Sequence, residues 1–219
     1  MDIIILLLIT LLIYLLPQNK EYLNVKSTSG LRGFLAIGII FHHLSQWVTS
    51  GDEFSNFSYM GTYIVSIFFF LSAYGLYFQN ENKKNYLDNF LVKRLSKILV
   101  PFFSISLIYM FYRFLNGQLM DLNFFANLFK KGSTIIYNGW FVDIIILMYI
   151  FFYISFKFFR NKFISIVINT VFIIGYICLA IKLDYGFWWY NSVFPFIIGL
   201  IWAKNKEKID GVLDRHYFI

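Results

Sequence analysis

Residues 29–48 read SGLRGFLAIGIIFHHLSQWV, an apolar run with an arginine near its start and two adjacent histidines past its middle. Ionisable groups are rarely buried in a soluble core, and in a bilayer they carry a cost that needs a reason, so the reading turns on the solvent. Hydrophobic residues make up 59% of the 219-residue chain and charged residues only 14%, with a mean hydropathy of +0.65. A soluble domain does not have that composition; the chain reads as an integral membrane protein. The net charge of +7 is spread in short basic clusters between apolar runs. That pattern points to orientation in a membrane and to no nucleic-acid partner. Cys178 is the one cysteine, which excludes an internal disulfide framework and a cysteine-based metal site and leaves packing as its reading.

Outward from this stretch, apolar runs fall near 1–16, 30–49, 58–78, 98–115, 138–156, 163–181 and 187–203. Most approach the roughly 20 residues that cross a bilayer core. The expected fold class is therefore all-α: a polytopic transmembrane helical bundle of about seven spans, in the cell membrane and in contact with its lipid. The first run has no basic flank and no small-residue cleavage site, so it reads as an anchor and not as a signal peptide. If the loop after it is cytoplasmic, alternate loops collect fifteen of the nineteen Lys and Arg, leaving Arg113, Lys130, Lys131 and Lys182 on the other side. Cytoplasmic loops hold the excess of basic residues, which puts the N-terminus outside and the C-terminus in the cytoplasm. The expected organisation is a short anchor over 1–17, a transmembrane domain over 27–209 and a cytoplasmic tail over 210–219.

Two connections carry amphipathic patterns. Between Tyr77 and Phe102, Leu87, Phe90, Leu91, Leu95, Ile98 and Leu99 recur at helical spacing among basic residues, predicting a helix on the cytoplasmic surface. Leu122, Phe125, Leu128 and Phe129 predict a second interfacial helix on the outer side.

Within the opening stretch, Ser27, Thr28 and Ser29 offer helix-capping oxygens, so the second span is expected to start there with Arg32 in its first turn. His43 follows eleven residues later, about 20° beyond three full turns, so Arg32 and His43 share one face with a rise of roughly 16 Å between them. His42 points about 100° away. Gly33, Ala36 and Gly38 are small enough to admit a helix or a ligand close to the backbone. Taken singly, each residue has a plain reading: a histidine hydrogen-bonded to a neighbouring helix, an arginine snorkelling to the interface. The pair on one face is more specific, placing a cation at the cytoplasmic mouth and a proton acceptor deep above it, across which an anionic cofactor fits.

LRGFLAIGIIFHHLS resembles the signature of acyltransferase family 3, an Arg or Lys followed after ten residues by His, which selects Arg32 and His43. SIFFFLSAYGLYF (66–78) is similar to the family's FFxxSG segment, with Ala73 where Gly is usual and Gly75 two residues on. FLVKRLSKILVPF (90–102) is similar to its basic helix before a proline, with Arg94 and Lys97 at the place of paired arginines. NGWFVDIIILMYIFF (138–152) resembles its Trp-led span. These matches keep the family's order from Ser29 to Lys208.

The resemblance implies an integral-membrane enzyme that moves an acyl group, acetyl in the first instance, from acyl-CoA to a carbohydrate hydroxyl. It implies catalytic roles for His43 and Arg32. Cations at a cytoplasmic mouth are in reach of phosphates, so Arg32, Arg94 and Lys97 are expected to hold the donor. An imidazole that is neutral and still basic near neutral pH suits a general base; a transient acyl-histidine is the alternative. Members commonly carry more than seven spans, so a completing membrane subunit or a second copy is an expected partner. The rival reading is a non-catalytic membrane component, a truncated remnant or a subunit.

Asp143, Trp140 and Ser72 are the candidates for the acceptor. Asp143 reads equally as an interfacial carboxylate, and Ser72 as a small packing residue. Trp140, Trp188 and Trp189 read as interfacial belt aromatics or as stacking platforms for a sugar. No metal-ligand spacing occurs: on a helix, His42 and His43 diverge.

Overall fold

The computed structural model describes residues 2–15, 22–48, 53–118 and 138–216, with isolated positions at 122, 124, 126, 135 and 136. Among the described residues the fold is all-helical: α1 (Asp2–Leu15), α2 (Val25–Trp47), α3 (Met60–Asn82), α4 (Phe90–Leu115), α5 (Trp140–Phe158), α6 (Lys162–Lys182), α7 (Pro195–Lys204) and α8 (Lys206–His216). Short 3-10 turns at Ser55–Phe57 and Phe187–Trp189 precede α3 and α7.

Among the described residues, four stretches are long and apolar enough to cross a membrane: Ser55–Asn82, Phe90–Leu115, Trp140–Phe158 and Lys162–Lys182. Of the other three expected spans, α1 and α7 are apolar but only 14 and 10 residues long. At 23 residues α2 has the length, but Lys26, Arg32, His42, His43 and Gln46 dilute its hydropathy. The outer interfacial helix expected on Leu122, Phe125, Leu128 and Phe129 lies largely outside the described residues; Leu122 is helical and exposed.

Local chemistry moves two boundaries. The cap of α2 is Asn24, whose Oδ1 accepts from the Ser27 amide at 2.7 Å, so the helix begins ahead of the expected Ser-Thr-Ser cap. Asn is among the strongest N-caps, and the Thr28 hydroxyl is already engaged, donating to the Asn24 carbonyl at 2.8 Å. Arg32 consequently falls beyond the second turn. The basic amphipathic segment and the span after it are also one 26-residue helix, α4, with Pro101 inside it. The proline removes one backbone donor, the one the Lys97 carbonyl would have used.

The core forms around α3. Its most extensive pairing is with α7, made close by Gly199, where a Cβ would sit 2.4 Å from the Phe70 carbonyl oxygen and 3.0 Å from the Ala73 Cβ. Small residues that let backbones approach are the usual means of association where lipid is as apolar as the side chains. Phe69, Ala73, Met148, Phe152, Phe196 and Leu200 are fully buried there. Phe90 anchors the start of α4 on α5, parallel to Tyr153 with ring centroids 6.1 Å apart. Beyond that anchor much of α4 faces outward, with Val100, Leu107, Ile108 and Phe114 exposed as lipid-facing side chains would be.

The connections that sequence assigned to one side meet at one end of the bundle. Lys157 pairs with Asp88 at 3.1 Å, and Lys162 pairs with Glu81. Tyr22 donates to Asp210 at 2.7 Å and accepts from the Trp202 indole at 3.3 Å, tying the chain ahead of α2 to α8. Thus α8 is a helix docked across the boundary expected at residue 210. Burial, joined by the bond to Asp210, pushes the Tyr22 phenol above its usual pKa, so it stays a neutral donor.

Candidate active site

Two cavities open at opposite ends of α3. The first, of about 460 Å³, is walled by Gln79, Tyr86 and Phe90 together with Lys83, Lys84, Lys93, Arg94 and Lys97. Arg94 is half-buried and held: one guanidinium nitrogen, Nη2, donates to the Tyr86 hydroxyl at 2.7 Å and to Gln79 Oε1 at 3.3 Å. Burial pushes the Tyr86 phenol above its usual pKa, against the opposing pull of Arg94. The phenol therefore stays neutral and leaves the arginine's charge uncancelled. None of the five cations belongs to the three ion pairs among the described residues. Such a wall suits a polyanion such as phosphate, Arg94 by its planar fork and the lysines as point charges.

The second cavity, of about 640 Å³, lies between α2, α3, the start of α5 and the 187–191 turn. From Thr62 in its wall to Gln79 in the first cavity, α3 rises by roughly 25 Å. Tyr59, Phe68, Trp140, Phe141, Phe187 and Trp188 bring six aromatic rings to its wall, and its polar groups include His42, His43, Gln46, Ser58, Thr62, Asn138 and Asn191. Asn191 donates to the Thr62 hydroxyl at 3.2 Å, closing the wall between the 187–191 turn and α3.

Ala36, Ile39, His43 and Gln46 form one helical stripe of that wall. Arg32 continues the same stripe one turn below Ala36 but lines neither cavity and is exposed. Both imidazoles line the cavity, 5.2 Å apart between ring centroids, so the expected divergence of His42 is corrected. The cause is Gly61 on α3: a Cβ there would come within 2.4 Å of His42 Nε2, and its absence lets that ring lean across. His42 Nδ1 lies 3.1 Å from the Phe57 carbonyl and its Nε2 3.2 Å from Gln46 Nε2. His43 Nδ1 lies 3.1 Å from Gln46 Oε1 and 3.0 Å from Asn138 Nδ2.

Among the small residues of the opening stretch, Gly38 packs on Ile64, Ala36 is in the wall and Gly33 faces open space. Of the acceptor candidates, Trp140 is in the wall with Trp188, whereas Trp189 is buried in the core with its carbonyl accepting from Tyr176 at 2.8 Å. Asp143 is exposed one turn into α5, and Ser72 is half-buried on α3 between the cavities; neither lines one. Arg94 and Lys97 both line the first cavity. Among the described residues no group of three or more His, Cys, Asp or Glu is placed to hold a metal ion.

Sequence reasoning missed Gln46, Asn138, Gln79 and Tyr86. Gln46 had a signal, lying three and four positions after the histidines, where helical side chains meet. Asn138 had none: it is 95 positions from His43 and adopts φ 62°, a left-handed conformation that Asn tolerates.

The described residues form a helical bundle with apolar spans, a cationic cavity at one end of α3 and a histidine-bearing cavity rich in aromatic rings at the other. The family model for the acyltransferase domain, acyltransferase family 3, matches residues 25–219. The chain belongs to that family, which makes it a membrane protein of a transferase family. No curated protein matches the chain, and no solved structure does.

Proposed function

We propose that the protein transfers an acyl group, acetyl in the first instance, from acyl-CoA at the cytoplasmic face to a hydroxyl of an exported or cell-surface carbohydrate. The observation that carries the reading is the contrast along α3: five cations around one cavity, none in an ion pair among the described residues, and His43 in the wall of the other. Arg94, Lys97 and their lysine neighbours would hold the phosphates of the donor. Arg32, on the His43 stripe at the level between the two cavities, would meet the donor as it extends toward the histidine. The aromatic wall with Trp140 and Trp188 suits the apolar faces of a sugar ring, and Asn138 and Asn191 suit its hydroxyls.

In this reading His43 takes the proton of the acceptor hydroxyl as that oxygen attacks the thioester carbonyl. The carbon–sulfur bond then breaks, and the imidazolium returns the proton to the departing sulfur.

The proposed topology places all seven apolar segments in the cell membrane, N-terminus outside, with the basic end of the bundle cytoplasmic. It is supported by the distribution of Lys and Arg and by the meeting of those basic connections at one end. On a Cys178→Ser background, a cysteine at position 84 should label only from the cytoplasm and one at position 131 only from outside; the reverse would overturn the assignment.

Activity is tested with purified protein in lipid nanodiscs, radiolabelled acetyl-CoA and isolated envelope glycans. Label should enter the glycan with the native protein and not with His43→Ala. Equal transfer by both proteins would sink the reading.

A further inference from the structure

His43 Nδ1 has an amide on each side, Gln46 Oε1 at 3.1 Å and Asn138 Nδ2 at 3.0 Å. In a neutral ring one nitrogen carries either a proton or a lone pair, so it cannot donate to the first and accept from the second at once. The partners beyond Gln46 decide between them. The Phe57 carbonyl only accepts, which puts the His42 proton on Nδ1, 3.1 Å away. In the neutral ring His42 Nε2 is then an acceptor, and the group facing it at 3.2 Å is the Gln46 amide nitrogen. An amide that donates to His42 with its nitrogen turns its oxygen to His43, so the proton of His43 also belongs on Nδ1.

We propose that Gln46, held through His42 by the Phe57 carbonyl, is a positioning residue that fixes His43 as the Nδ1–H tautomer and leaves Nε2 as the proton-accepting nitrogen. The inference rests on His43 being the base of the proposed transfer. Asn138 then serves the same N–H once its amide is turned to present Oδ1, since oxygen and nitrogen of an amide are exchanged by a half-turn. When Nε2 gains the acceptor's proton, Nδ1–H keeps its bond to Gln46, so the imidazolium forms without rearrangement of the wall. The other titratable side chain of the cavity wall is Tyr59; Asp143 of α5 stands outside it.

The tautomer is read directly from imidazole nitrogen resonances of the full-length protein, labelled with 15N-histidine in nanodiscs and assigned with His42→Gln, His43→Gln and His216→Gln. Neutral His43 should be protonated at Nδ1 in the native protein and shift toward Nε2–H in Gln46→Leu. An Nε2–H native ring, or a tautomer unmoved in Gln46→Leu, overturns the proposal.

With acetyl-CoA as probe, Gln46→Leu should lower kcat about ten- to a hundred-fold at unchanged KM, while Gln46→Glu, which keeps an oxygen facing Nδ1, should restore turnover. The carboxylate should also move the acid limb of the pH profile to higher pH, an effect that mere packing would not produce. Equal losses in the two variants overturn the positioning role. Expected tautomers in a native protein that transfers no acyl group would uphold the hydrogen-bond chain and sink the functional reading alone.

Discussion

The two ends of α3 are built on opposite principles. At the basic end, charge is gathered in the open: Arg94 is half-buried while Lys83, Lys84, Lys93 and Lys97 are exposed around a cavity with few apolar residues. At the other end, polar groups are rationed among aromatic rings, and each imidazole has hydrogen-bond partners. The difference teaches where each kind of work can be done. Polyanion binding needs cations that water keeps charged at little cost, whereas proton transfer needs a group whose protonation state is set by fixed neighbours.

The largest effect expected from this contrast is at the histidine end. His43→Ala should lower acyl transfer by about a hundred- to ten-thousand-fold while donor affinity, measured by acetyl-CoA titration, stays near that of the native protein. His42→Ala should cost less, since its hydrogen-bonded path to His43 runs through Gln46. If donor binding collapses with His43, the separation of the two ends is wrong.

Next comes the basic end. Arg94→Ala should weaken acetyl-CoA binding roughly ten- to a hundred-fold, and Arg94→Lys should be intermediate because it loses the planar fork. Arg32→Ala should weaken it less, as Arg32 is outside the cationic cavity. Titrations at two salt concentrations should show the Arg94 difference shrinking as screening rises. An Arg32 effect equal to or above that of Arg94 would relocate the donor site toward α2.

The helix that separates the cavities can itself be loosened. Gly199→Ala places a methyl against the Phe70 carbonyl and should destabilise the bundle by about 1 kcal/mol or more, read as a lowered Tm in detergent. The smallest effect is expected at Lys157, whose pair with Asp88 leaves the two side chains 41% and 57% exposed. Lys157→Ala should leave the Tm in detergent unmoved, because water screens an exposed pair. A lowered Tm would mean that the basic end depends on its ion pairs for structure.

Much of the site was legible because helical spacing is a local rule. Ala36, Ile39, His43 and Gln46 share a stripe whatever they pack against, and Arg32 extends it. The membrane class was legible from composition, and four spans pass on length and hydropathy alone. Where the reading missed, a competing local interaction or a distant neighbour had intervened. Asn24 took the cap of α2 ahead of three hydroxyl residues, and α4 carried its helix through Pro101.

By itself, then, the sequence determined the membrane class, most of the helices and the helical face that Arg32 shares with His43. These follow from composition and from periodicities that act within a few residues. Tertiary structure alone decided that His42 leans over Gly61 into the same cavity, that Asn138 reaches His43 across 95 positions, and that Ser72 and Asp143 stay out of both walls. The physical reason is common to all three. A side chain's direction on its own helix is fixed by 3.6 residues per turn, but what it meets depends on where a second backbone comes close. For His42 that closeness is set by the missing Cβ of Gly61, and for the α3–α7 contact by that of Gly199.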